Sequence, residues 1–263
     1  MKVLELFAGT GSVGNVMKEH GWEVVSLDRD MPADISTDIL DWDYRSHYEP
    51  RSFDIIWASP PCTEYSIAKQ VGVRNLELAN SIVQRTLDII DYLQPKYYII
   101  ENPQTGLLKH QPLMQGRPYN DLDYCRYGMP YRKRTRLWNN LPFFNPLTCC
   151  RLCEAMTEDK KRHLHAAQHS PKGPRSGWRE GYRMFGARQL YIIPRALTEY
   201  IVECINYSED MTDDLASRIL RGEVSQLEIS QDQHAITSAT TNNLTIIYIY
   251  IYNVGLNPPI LDD

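Results

Sequence analysis

The chain has 263 residues, 43% of them apolar and 23% charged, with 28 Lys/Arg against 33 Asp/Glu. That length suits one α/β domain plus an extra lobe rather than three domains, and the composition excludes a mostly disordered chain. No apolar run approaches the roughly 20 residues that span a bilayer; Glu5 inside Met1–Phe7 argues against a signal peptide; and six scattered cysteines are no disulfide framework, so a reducing, intracellular compartment is expected.

The first hundred residues alternate short apolar runs with helical stretches. Val3–Phe7 reads as a buried strand, Gly9–His20 as a turn entering a helix, and Glu23–Leu27 as a second strand ending at Asp28. Phe53–Ala58 is a third strand and Tyr97–Ile100 a fourth. Between them, Leu76, Leu78, Ala79, Ile82, Val83, Leu87, Ile90 and Leu93 recur near a 3.6-residue period, which predicts an amphipathic helix over Asn75–Leu93. Strands alternating with helices predict an α/β fold with a doubly wound, largely parallel sheet. From 139 to 182 the periodicity fails and Pro, Gly, Cys, His and basic residues dominate, which predicts a small irregular, mostly non-helical insert. Pro194–Ile205 returns to helical spacing, with Pro194 suited to a first turn. Beyond 206 the chain turns acidic and polar, a composition compatible with disorder, apart from the strand-like alternation of Thr245–Tyr252.

The chemistry sits at the predicted strand ends. Phe7-Ala8-Gly9-Thr10-Gly11-Ser12-Val13-Gly14 is a G-x-G-x-x-G run between a strand and a helix, where glycines admit a close ligand and the helix start offers free N–H groups. Asp28, ending the next strand, can accept from ribose hydroxyls, so the pair points to an adenosine-type cofactor. After the third strand comes Ser59-Pro60-Pro61-Cys62, where two prolines stiffen a loop that holds Cys62 as a candidate nucleophile. Glu101, in Ile99-Ile100-Glu101-Asn102-Pro103, ends the fourth strand and would bring a carboxyl into the same cleft, suited to a ring nitrogen. Arg134 and Arg136 alternate on a strand and are expected to share one face.

These runs, in this order, resemble the cytosine-C5 DNA methyltransferases: the F-A-G-x-G loop at Phe7–Gly11, P-P-C at Pro60–Cys62, E-N at Glu101–Asn102 and R-x-R at Arg134–Arg136. Phe185–Arg188 and Pro194–Leu197 resemble the family's closing motif, so the likeness covers about residues 1–206. The chain departs from the pattern at Pro103, at Arg132, at Ala187 and in the shortness of its insert. The resemblance implies a Rossmann-like catalytic domain (1–138 plus 183–206) binding S-adenosylmethionine through Phe7, Ala8, Gly9, Thr10, Gly11, Asp28 and Pro60. A target-recognition insert (139–182) and an acidic extension (207–263) complete the chain. It further implies that Cys62 adds to C6 of a cytosine flipped out of DNA, that Glu101 contacts N3 and the exocyclic amine, and that Arg136 steadies the base and Glu101, with Arg134 a further catalytic candidate of the same motif. No obligate protein partner is evident.

Residues 126–195 hold 15 Lys/Arg against 4 Asp/Glu, a net of +11 between acidic flanks, which is the footprint of a polyanion partner. The insert also carries Cys149-Cys150-x-x-Cys153 followed by His163, His165 and His169; Cys150, Cys153, His165 and His169 nearly match a two-Cys, two-His zinc spacing, and the choice among these Cys and His stays open. Three alternatives remain at the level of the residues: a tRNA cytosine-C5 methyltransferase, an amino-group DNA methyltransferase sharing Ser59-Pro60-Pro61, and a non-catalytic nucleic-acid-binding relative.

Overall fold

The structure is a computed structural model, and it describes residues 1–69, 71–167 and 187–220. Thr245–Tyr252, His169, Phe185 and Gly186 lie outside the described residues. The chain divides into two compact units, Met1–Asn140 with Asn145–Tyr200, and Leu141–Phe144 with Ile201–Asp263.

The first unit is built on a seven-stranded sheet. In chain order its elements are β1 (Lys2–Leu6), α1 (Gly14–Glu19), β2 (Glu23–Asp28), β3 (Ile35–Ser36), α2 (Tyr44–His47), β4 (Ile55–Ala58), α3 (Leu76–Leu93), β5 (Tyr97–Pro103), β6 (Tyr119–Asp123), β7 (Tyr131–Arg132), β8 (Arg134–Asn139), β9 (His165–Ala166) and α4 (Ala187–Leu190). The order across the sheet is β3-β2-β1-β4-β5-β8-β6; β3 through β5 run parallel, and β8 and β6 add an antiparallel edge. A separate parallel pair joins β7 to β9, a short strand from within the irregular insert.

The strands expected at the start of the chain are those observed, because their continuous apolar runs suit a sheet covered on both faces. On one face, Leu4, Leu6, Ile56, Ala58 and Ile100 pack with Val83, Leu87 and Ile90 of α3 in the main core. Asn75 caps α3, accepting from Leu78 N at 3.0 Å, and Gln94 ends it in the left-handed region at φ 47°. On the other face α1 lies so close that a Cβ on Gly14 would collide with the Glu5 carboxylate and touch Val24. Helices on opposite faces make the sheet doubly wound. The strand order reverses between β1 and β4, and the crevice beyond their carboxyl ends is where such folds place ligands.

The second unit holds Phe143 and Tyr207 edge to face, with ring centroids 5.2 Å apart. Helix α5 (Arg195–Leu220) follows Pro194, whose carbonyl accepts from Leu197 N and Thr198 N. It runs 14 residues past 206, where the fall in hydrophobicity had predicted the end of regular structure. Among the described residues no helix is long and apolar enough to cross a membrane.

Candidate active site

At the end of β1 the chain turns sharply. Phe7, Gly9 and Gly11 all have positive φ (59°, 55° and 68°), and at Gly9 and Gly11 only glycine adopts this without strain. The turn is fixed from the next strand: Gly9 N donates to Asp28 Oδ2, and Asp30 N and Met31 N donate to Asp28 Oδ1, each at 2.8 Å. Asp28 thus spends three acceptor positions on organising two loops, and a carboxylate offers about four. Beneath the turn, Glu5 is buried, and that burial raises its carboxyl from 4.5 to about 7 against the opposing bonds from Gly14 and Val13 N–H.

A cavity of about 450 Å³ opens here. It is lined by Phe7, Ala8, Gly9, Thr10, Asp28 and Pro60 of the expected cofactor set, and also by Cys62 and Glu101. Gly11 does not line it but shapes the turn, donating to Ala8 O at 2.8 Å. Cys62 and Glu101 come from the ends of neighbouring parallel strands, with Ala58 opposite Ile100 in the ladder. The Cys62 loop is held from within. Arg74 donates to the carbonyls of Glu64, Ser66 and Lys69 at 2.7–2.9 Å. Asn102 Nδ2 donates to Pro60 O at 2.9 Å in a buried bond.

Glu101, 6% exposed, receives the Tyr124 hydroxyl at 3.2 Å and faces Lys133 Nζ at 3.4 Å. Lys133 also lies 4.8 Å from the Tyr124 ring centroid and donates to Leu190 O at 3.1 Å. Burial pushes the Cys62 thiol above its ordinary value, the Lys133 charge opposes that, and the Glu101 charge adds to it. Burial, with the Glu101 charge behind it, raises the Tyr124 hydroxyl further.

Arg134 and Arg136 share a face as expected, but it is not the face of Glu101. In an antiparallel ladder opposed residues point the same way. Glu101 opposes Leu137 and Asn102 opposes Arg136, so the odd-numbered residues Thr135 and Leu137 share the Glu101 side. Arg136 instead forms a bidentate pair with Asp121 at 2.7 and 2.8 Å and stacks 3.5 Å from the Tyr119 ring centroid, while Arg134 is exposed. The cation beside Glu101 is Lys133. Only the register that pairs Glu101 with Leu137 singles it out; nothing in the sequence pointed to Tyr124 or to Tyr191, the latter of which lines the cavity with Arg188. Pro103 is tolerated for the same geometric reason. Gln104 N donates to Arg134 O at 3.0 Å, so Pro103 sits at a non-hydrogen-bonded position of that ladder, beyond the end of β4.

The zinc spacing read from the sequence is also shifted. Cys150 is exposed, its Sγ 3.8 Å from Arg126, and His165 pairs with Tyr131 in the β7–β9 ladder. Of the expected residues that are described, only Cys153 converges with other ligands: Cys125, Cys149 and His163, with all four ligand atoms within 4.8 Å of one another.

The C-5 cytosine-specific DNA methylase family matches residues 1–127. A "Probable DNA (cytosine-5)-methyltransferase" of Frog virus 3 (isolate Goorha) is 39% identical over 163 residues, covering 57% of this chain and 75% of that protein. The chain belongs to the C-5 cytosine-specific DNA methylase family. Among solved structures, a putative DNA modification methyltransferase encoded within an E. coli prophage aligns at 17% identity and TM-score 0.40, over 53% of this chain and 46% of that one. The Entamoeba histolytica methyltransferase EhMeth aligns at 17% identity and TM-score 0.42, over 55% and 54%. The chain thus spans about half the length of these solved relatives.

Proposed function

We propose that this protein transfers a methyl group from S-adenosylmethionine to C5 of cytosine in DNA, through a covalent bond between Cys62 and C6. The observation that carries the reading is the shared cavity: a candidate nucleophile and a buried carboxylate face the same space as the strand-to-helix turn. The viral relative's name supports cytosine-5 chemistry on DNA.

The cavity fits the cofactor. Its volume lies in the range of about 300–1,000 Å³ usual for small-molecule sites. The left-handed turn at Gly9 brings backbone against it, and the Asp28 carboxylate, which anchors that turn, lines its wall. When bound, S-adenosylmethionine supplies an electrophilic methyl group.

The remaining steps fall to this chain. The Cys62 thiolate adds to C6, and the electron pair displaced from the C5–C6 bond is shared between C5 and the ring. Glu101 accepts from the exocyclic amine and, carrying a proton, donates it to N3, so neutralising the charge that builds on the ring. Lys133 favours the thiolate over the thiol and fixes the carboxylate, with Tyr124 as its second support. Once C5 carries the methyl group, its proton leaves to a base, the electron pair returns, and the S–C6 bond breaks. The target base must leave the duplex stack to enter so enclosed a site, and the basic stretch 126–195 suits the phosphates around it.

The test is trapping on a duplex containing 5-fluorocytosine, where fluorine cannot leave as a proton does and the adduct persists. Wild-type protein with cofactor is expected to give a covalent adduct, and Cys62→Ser none, while still binding the duplex. An adduct in Cys62→Ser, or adducts only on tRNA, would overturn the reading. Amino-group transfer predicts methylated product without any adduct.

A further inference from the structure

Cys125, Cys149, Cys153 and His163 stand apart from the catalytic cavity and take no part in the reaction above. Cys125 lies on the 3-10 turn Tyr124–Tyr127 that follows β6; the other three lie 24 to 38 residues later in the insert. Cys149 Sγ is 3.8 Å from Cys153 Sγ, and His163 Nε2 is 3.4 and 3.5 Å from those two sulfurs.

A tetrahedral zinc ion with Zn–S near 2.3 Å and Zn–N near 2.0–2.1 Å separates its ligands by about 3.8 Å (S to S) and about 3.6 Å (S to N). The three distances match that tetrahedron. The backbone is shaped for it as well. Arg151 takes a left-handed φ of 65° between the two insert cysteines and donates its N–H to Cys149 Sγ at 3.3 Å. Behind Cys153, Thr157 N to Arg162 O and Leu164 N to Ala155 O close a hairpin at 2.9 and 2.8 Å that returns His163 to the sulfurs. A second, independent observation concerns packing. Among the described residues, the apolar cluster at this place consists of Cys125, Cys153, Ala155 and Met156 with Cys149 against it, and so few residues are little core to hold a hairpin without a staple.

We propose that these four residues bind one structural Zn²⁺. Three thiolates and a neutral imidazole around the ion leave a net charge of −1, and the Arg132 guanidinium, itself paired with Asp123, lies close by. Four protein ligands leave no open position, so the ion is structural, and binding it releases the three thiol protons to solvent. Its effect is to fasten the insert to the turn that presents Tyr124 to Glu101. Asp123 makes the same connection by hydrogen bonds, accepting from Arg132 and from Cys149 N at 2.7 Å.

Elemental analysis of the full chain, purified without added metal, tests this. About one zinc per chain is expected, falling at least about tenfold in Cys125→Ser, a substitution outside the insert. A Cys150→Ser/His165→Ala double variant is expected to keep the metal. Cobalt substitution of the wild-type chain is expected to give the intense visible bands of tetrahedral, thiolate-rich Co²⁺, so the question is decided even if Cys125→Ser fails to fold. No zinc and no such bands in the wild-type protein would overturn the proposal, and zinc retained in folded Cys125→Ser would overturn this ligand set. Neither result depends on methyl transfer.

Discussion

Replacing Lys133 by Met tests the electrostatics of the proposed site. The ammonium sits 3.4 Å from Glu101 Oε1, and the two side chains are 16% and 7% exposed. At an effective dielectric constant of about 20, unit charges at that distance attract by about 5 kcal/mol before desolvation is counted. The same charge is what opposes the burial of the Cys62 thiol. Removing it raises the thiol further, and each pH unit so lost costs about tenfold in thiolate, or 1.36 kcal/mol. Adduct formation near neutral pH is therefore expected to fall about tenfold or more. Because the thiolate is the reactive form, the rising limb of the pH–rate profile moves to higher pH. Lys133→Arg, which keeps the charge, is expected to recover part of the rate and most of the limb. The assay is single-turnover trapping on 5-fluorocytosine duplex across a pH series, with thermal melts confirming that each variant is folded. A folded Lys133→Met enzyme with an unmoved limb would refute the reasoning.

Two further outcomes follow from the same geometry. Glu5 is raised to about 7 in the folded chain from 4.5, so the folded state holds a proton that the unfolded state releases, and stability declines as pH rises between those values, by about 3 kcal/mol in all. Glu5→Gln removes the titration, and urea midpoints on either side of that window should differ less in the variant than in the wild type; equal differences would sink the assignment. Arg151, Lys160, Lys161 and Arg162 are exposed on the insert. Reversing the charge of Lys160, Lys161 and Arg162 together should weaken duplex binding and flatten its salt dependence by up to about 0.9 in log–log slope per lost phosphate contact. An unchanged slope would place the DNA elsewhere.

Much of the first unit was legible because buried parallel strands and an amphipathic helix write themselves as apolar runs and a 3.6-residue period. β6 was not, since Tyr119-Asn120-Asp121-Leu122-Asp123 alternates acids with little that is apolar. Its acids are spent on Arg136 and Arg132 rather than on solvent. Cys62, Glu101 and the glycine turn were readable from their places at strand ends. The partner of Glu101 was not, because a run of basic residues at 132–136 fits two parities, and only the pairing of Glu101 with Leu137 decides between them. The Cys/His cluster failed for a related reason: linear spacing weighs neighbours in sequence, and Cys125 arrives from another segment. Helix α5 outran its expected end because an acidic composition does not by itself break a helix.

The bond from Asn102 to Pro60 joins residues 42 apart in sequence. Bringing the ends of a flexible loop of that length together costs about 3 kcal/mol in chain entropy, by the (3/2)RT ln n rule. Here the cost is met once, when the chain folds, and not at every turnover. The stretch of chain bearing the sulfur is moored to the residue next to the carboxyl group before any base arrives. In the proposed reaction, binding energy from the nucleic acid is therefore left for extracting and gripping the base, and none of it goes to bringing Cys62 and Glu101 together.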